Sequence, residues 1–330
     1  LNTVESTILV VAIGWVYAAT GTLNLADLPA ALAALPDATR TILQLLLLVA
    51  FGMKAAVFPL FFWLPDSYPT APSPVAALFA GLLTKVGVYT ILRTQTLLFP
   101  GSLRTLLLII AGLTMVVGVL GAIAQGEIKR ILSFHIVSQI GYMILGIAIG
   151  GPVAIAATVF FLVHQIPVKT SLFLVEGLLE RTMGSGSLER LSGVARHSAL
   201  LAALFGLPAL SLAGLPPFSG FVGKLGLLVA GVEADLLVMV AIALVGSLLT
   251  LVSMTKIWLG AFWGATRPAT VAADAPLSPR QFPLMTAATV ALVGVGLAIA
   301  AFSGPLYDYM DDLGIEVTTP GAYREAVMGE

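Results

Sequence analysis

Apolar runs of about twenty residues, the length a helix needs to cross a bilayer, recur along this 330-residue chain with only short polar connections between them. They fall near 5–23, 42–64, 74–97, 103–124, 130–150, 152–178, 199–230, 236–262 and 283–303. Backbone in hydrocarbon must satisfy its own hydrogen bonds, so such runs predict transmembrane helices. Charge content agrees: 10% of residues are charged and 58% are hydrophobic, where soluble domains average about 25% charged. The expected fold class is all-α, a polytopic transmembrane helix bundle of about nine spans.

Two runs carry helix breakers. The run 199–230 is too long for one straight helix and contains Gly214-Leu-Pro216-Pro217-Phe-Ser-Gly220. It predicts one discontinuous span, because proline removes a backbone donor and glycine loosens the helix. Pro59, five residues after Lys54, predicts a milder break in the second span. Irregular backbone at membrane depth is tolerated only inside protein or beside a water-lined cavity. The layout is six spans in 1–178, a polar loop at 179–197, the remaining spans in 198–303, and a short polar tail at 304–330. The chain opens at Leu1 rather than Met, with no signal-peptide pattern, and reads as beginning inside a longer protein.

The basic residues choose an orientation. Lys129, Arg130, Arg181, Arg190, Arg196, Arg267 and Arg280 fall at one set of span ends, and Arg40, Arg93, Arg104 and Arg324 at the other. The larger set predicts the cytoplasmic face, leaving the tail with Asp308, Asp311, Asp312 and Glu316 outside.

Several chemistries are excluded. There is no cysteine, so disulfides, Fe–S clusters and thiolate metal sites cannot form. The three histidines are scattered, and no metal site or cofactor is expected. No GxxxxGK[ST], HExxH or strand-borne GxGxxG occurs. Charge is nearly balanced, 16 basic against 17 acidic residues, with no tract for nucleic acid. The chain is expected not to be an enzyme.

Function must then lie in the groups that interrupt the apolar runs. Lys54, Lys85, Lys169 and Lys224 sit within spans, with His164 five residues before Lys169 and His135 in the first turns of the fifth span. Each lysine at the bilayer centre costs about 2.5–3.5 kcal/mol on insertion scales. Four of them predict a hydrated polar line through the bundle, bordered by the broken helices, along which amines take up and release protons. Lys129 and Lys256, nearer span ends, are expected to snorkel. Glu5 and Glu176 also lie near span ends, so the lysines are expected to find their counter-charge outside this chain. The glycines of Gly146…Gly150, Gly294 and Gly296 read as helix-packing surfaces.

These residues also carry a resemblance. The run from Gly52 to Leu78, GMKAAVFPLFFWLPDSYPTAPSPVAAL, leads into Leu82-Leu-Thr-Lys-Val-Gly-Val-Tyr89. With it go Glu127-Ile-Lys-Arg-Ile-Leu-Ser133, Gln139-Ile-Gly-Tyr-Met143, His164…Lys169-Thr-Ser-Leu-Phe-Leu174 and Leu212-Ala-Gly-Leu-Pro-Pro-Phe-Ser-Gly-Phe221. The chain resembles the proton-translocating membrane subunits shared by respiratory complex I and the Mrp-type multi-subunit Na⁺/H⁺ antiporters, with wording nearest the Mrp side. The resemblance implies antiporter-like inverted repeats, the first truncated here, in a family with about fourteen helices. It implies that Lys54 is the lysine of the family's first broken helix, Lys85 that of the next helix, His164 and Lys169 the link between repeats, and Lys224 the lysine of the second broken helix. It also implies that the glutamate partner of Lys54 lies on a helix upstream of Leu1.

The resulting expectation is a cation/proton antiporter subunit conducting protons along a Lys/His axis coupled to Na⁺ export. Its site residues are Lys54, Lys85, Lys224, His164 and Lys169, with His135 as a point of proton uptake and Pro59, Pro216, Pro217 and Gly220 as helix breaks. Expected partners are the other hydrophobic subunits of the complex, protons, Na⁺ and lipid, in a bacterial cytoplasmic membrane. Two alternatives stand beside it: a proton-pumping subunit attached to a redox module, as in complex I or a membrane hydrogenase, and a non-conducting scaffold.

Overall fold

The computed structural model describes residues 2–264 and 282–329; Arg267 and Arg280 of the basic set lie outside them. Among the described residues the regular elements are all helical. In chain order they are α1 (Asn2–Thr20), α2 (Asp37–Ala55), α3 (Ser73–Leu98), α4 (Arg104–Ala124), α5 (Ile128–Ile149), α6 (Gly151–Met183), α7 (Ala199–Ala213), α8 (Ser219–Glu233), α9 (Leu237–Phe262), α10 (Pro283–Ala301), α11 (Ser303–Thr318) and α12 (Pro320–Met328). Short helical turns at Leu28–Ala33, Trp63–Ser67 and Val194–His197 lie between them.

Eight helices among the described residues, α1 to α6, α9 and α10, are long and apolar enough to cross a membrane. The ninth crossing is the broken pair. α7 has 15 residues, about 22 Å of rise, short of a bilayer core of about 30 Å. It starts beside α9's far end, where Phe205 stacks on Phe262 with centroids 4.7 Å apart. α8 continues in the same direction and ends with Gly231 against Val240 and Ile149. Together they make one crossing.

α5 and α6 form the axis. The span of α5 is 94% buried, its polar residues Ser133, His135, Ser138 and Gln139 included, so it is a helix enclosed by others. Small residues let α4 close on it: a Cβ at Gly118 would lie 2.4 Å from the Ser138 nitrogen, and one at Gly141 2.6 Å from the Met115 nitrogen. Gly146 packs the same way on Thr158, whereas Gly150 holds the positive φ of the α5–α6 turn and Gly294 faces open space.

One end of the bundle gathers the basic connections. Ile128 N–H donates to Gly186 O and Leu188 N–H to Gly126 O, Arg130 pairs with Asp66 at 2.8 Å, and the Arg181 guanidinium covers the Phe282 ring. Here α6 runs on to Met183, so the polar connection begins at Gly184. At the opposite end the residues after 303 are helical: α11 lies along the start of α6, with Tyr307 against Phe160, and α12 brings Tyr323 beneath Arg93.

Candidate functional site: a buried row of amines and imidazoles

The first break lies where the sequence predicts it. α2 ends at Ala55, Ala56 turns into left-handed backbone at φ 61°, and Phe58 N–H donates to Thr114 Oγ1 at 3.0 Å on α4. Lys54 occupies the last turn before the break. Its ammonium sits 3.5 Å from Glu5 Oε1 of α1. Here the structure corrects the sequence reading: Lys54 has a counter-charge within this chain, because antiparallel α1 brings its first turns back to the end of α2.

α3 passes directly against this break. A Cβ at Gly87 would lie 2.4 Å from the Ala55 nitrogen, so only glycine admits the contact. Just before it, residues Phe79–Leu83 form a π-helical turn, a local widening that leaves a carbonyl for other use. Lys85, 5% exposed, donates to that carbonyl at Ala80, 2.6 Å away.

The second break is the centre of the site. α7 ends in left-handed Gly214, and α8 begins at Ser219 after the two prolines. Lys224 of α8 reaches back to the end of α7, donating to Leu212 O at 3.0 Å, Ala213 O at 3.1 Å and Ser247 Oγ at 3.0 Å. Its ammonium also lies 5.1 Å from the Tyr142 ring centroid. Terminal carbonyls carry the negative end of the helix dipole, so Lys224 is a cation placed on a ready-made anionic site. Gly220 is essential to this approach, since a Cβ there would fall 1.8 Å from Ser211 O and 3.0 Å from His164 Nε2.

His164 and Lys169 are both fully buried on α6. His164 Nδ1 shares a 2.8 Å hydrogen bond with Ser219 Oγ at the start of α8, tying the row to the break. Lys169 Nζ has no hydrogen-bond partner among the described residues, and neither has His164 Nε2 or the Gln165 amide. His135, on α5, is fully buried and hydrogen-bonded to Ser253 Oγ at 2.9 Å. α3 packs on α6 next to Lys169, where a Cβ at Gly81 would meet Thr170, and Lys224 reaches the Tyr142 ring of the helix that carries His135. Lys85, Lys169, Lys224, His164 and His135 are thus a buried row of ionisable groups on packed helices α3, α6, α8 and α5; Lys54 stands at its flank, in contact through the Gly87 junction.

Some polar residues were not legible in the sequence. Ser219, Ser247 and Ser253 position the row; only Ser219 lies in a quoted motif. Lys256 does not snorkel: it donates to Ile123 O and Gln125 O, capping the end of α4. Glu176, expected near a span end, is 1% exposed. A buried carboxylate therefore exists inside the bundle, because the connection after α6 folds over it.

Comparison with known proteins places this geometry. Residues 1–250 match the family described as NADH:quinone oxidoreductase/Mrp antiporter, TM. A D-type Na⁺/H⁺ antiporter subunit from Alkalihalophilus pseudofirmus is 40% identical over all of this chain and 67% of its own length. A chain in a structure of the Mrp complex from Dietzia sp. DQ12-45-1b superposes with a TM-score of 0.89 at 35% identity, covering 99% of this chain and 68% of that one. A chain of respiratory complex I from Thermus thermophilus gives 0.79 at 25% identity over 96% of this chain and 67% of its own. The chain thus spans about two thirds of the length of each of these relatives. The match over residues 1–250 and the 40% identity over the whole chain show that the chain belongs to the NADH:quinone oxidoreductase/Mrp antiporter transmembrane family.

Proposed function

We propose that this chain acts as a D-type membrane subunit in a multi-subunit Na⁺/H⁺ antiporter, moving protons along its buried Lys/His row in step with Na⁺ export. The observation that carries the reading is the buried set Lys85, Lys169, Lys224, His164 and His135, enclosed by protein and bounded by two broken helices. Buried polar atoms without partners, at Lys169, His164 and Gln165, need water or a transferred proton to satisfy them. A proton arriving on one amine raises the cost of charge on the next, so occupancy is passed along the row by repulsion. The broken helices supply carbonyl ends and half-helix dipoles at the places where charge must pause.

Identity favours the antiporter reading over the redox-driven one: 40% to the antiporter relative against 25% to the complex I chain. Partners under this reading are the other hydrophobic subunits of the complex, with lipid around them, in a bacterial cytoplasmic membrane. The end carrying Lys129, Arg130, Arg181 and Arg190 faces the cytoplasm and the C-terminal helices face outward.

The test is Na⁺-dependent proton exchange by the assembled complex in inside-out vesicles. Lys54→Ala and Lys169→Ala should each lower the rate by about 100-fold or more, with the complex still assembled. Lys54→Arg should not rescue it, because a guanidinium does not release its proton. Undiminished exchange in both alanine variants would favour a scaffold instead.

A further inference from the structure

The polar row does not end at Lys169. Seven residues further along α6 lies Glu176, about 10.5 Å up the helix axis and within about 20° of the same face. Its side chain is 1% exposed, and neither carboxylate oxygen accepts a hydrogen bond among the described residues. The Lys129 ammonium, from the first turn of α5, stands 3.6 Å from Glu176 Oε2. The same ammonium pairs with Glu180, one turn on, whose side chain is 37% exposed. Ser73 Oγ, at the start of α3, donates to Glu180 at 3.4 Å. The 184–188 connection closes the top: a Cβ at Gly186 would lie 2.6 Å from Glu176 Oε1. The charged groups facing Glu176 are Lys129 from α5 and Glu180 from its own helix; α3 contributes a hydroxyl and the connection contributes backbone.

Two carboxylates therefore share one ammonium, one enclosed and the other open to solvent. With all three ionised the group carries one uncompensated negative charge, and a single proton on either carboxylate balances it. We propose that Lys129, Glu176 and Glu180 form a proton-exchange station at the basic end of the row, joining bulk water to Lys169. Glu180 takes a proton from water and passes it to the Glu176 carboxylate, breaking one O–H bond and forming another. Glu176 then releases it through water to the neutral Lys169 amine, which becomes ammonium. Lys129 stays charged throughout and holds the carboxylates together. The station rests on the proton-conducting reading above. The rival is a structural ion-pair staple between α5 and α6.

The two differ in the assembled complex, with Na⁺-dependent proton exchange in vesicles followed from pH 6 to 9. Glu176→Gln should lower the rate about 100-fold and flatten the pH profile, Glu176→Asp should keep most of it, and Glu180→Gln should shift the profile. A rate within about twofold of the parent for Glu176→Gln, while Lys169→Ala abolishes exchange, overturns the station and leaves the row standing. Should both variants exchange normally, the row falls and takes the station with it. Recovery of exchange in the neutral pair Lys129→Met with Glu176→Gln also overturns it, since neutralising both partners restores a staple but not a proton carrier. If Glu176→Gln fails to assemble, an unchanged pH profile in Glu180→Gln overturns the proposal and a shifted one supports it.

Discussion

Lys224 shows how a single ammonium can hold a structure and carry a proton. It gives three hydrogen bonds, two of them to the last carbonyls of α7 and one to Ser247. Losing a proton removes a donor and the attraction of the cation for the helix end, so proton occupancy and the geometry of the break are tied together. Lys256 uses the same chemistry on α4, with Ile123 O and Gln125 O, away from the row. Structural and transport roles at Lys224 separate by substitution. Lys224→Met leaves Leu212 O without its donor, while Ala213 O keeps the Ser247 hydroxyl at 2.8 Å, and should destabilise the protein by about 1–3 kcal/mol while abolishing exchange. Lys224→Arg keeps a cation and donors at the helix end but cannot cycle. It should melt within a few degrees of the parent in detergent, yet exchange at the rate of the methionine variant. An arginine variant that exchanges normally would assign Lys224 a structural role alone.

At the scale of elements, the two breaks work because neighbouring backbones approach closely. Gly220 sets the α7–α8 junction against Ser211 O, and Gly87 sets α3 against the end of α2. Gly220→Ala places a methyl group inside a carbonyl contact, and backbone yields less than a flexible side chain. It should cost about 3 kcal/mol, read as a lower melting temperature of the purified complex, with exchange lost through displacement of Ser219 and His164. Gly294→Ala, where nothing lies within 4 Å, should change neither. The breaks were legible in the sequence, since proline and glycine announce themselves within five residues. What the breaks do was not. The partner of Lys224 lies 11 and 12 residues back along the chain and 23 residues ahead, and that of Lys54 lies on another helix. Local pattern gives the position of a charge; only the packing of helices gives its partner.

For the whole molecule, the spans and the basic asymmetry were legible because lipid imposes them on each segment separately. The buried Glu176 was not, because its burial depends on the 184–188 connection closing over α5 and α6. Topology unites these scales, and it hinges on α7 and α8 making one crossing rather than two. The chain has no cysteine, so single introduced thiols can read it directly. Leu23, Glu127 and Glu325 are exposed and occupy, in turn, the α1–α2 connection, the α4–α5 connection and α12. Three crossings separate Leu23 from Glu127, and eight separate Leu23 from Glu325 when α7 and α8 count as one. With the basic end inside, a membrane-impermeant maleimide applied to intact cells should label Leu23→Cys and Glu325→Cys. Glu127→Cys should label only after permeabilisation. Labelling of Glu127→Cys alone would invert the orientation while preserving the fold. Leu23→Cys and Glu325→Cys on opposite faces would mean that α7 and α8 cross separately, and the capping of α7 by Lys224 could not then lie at the membrane interior.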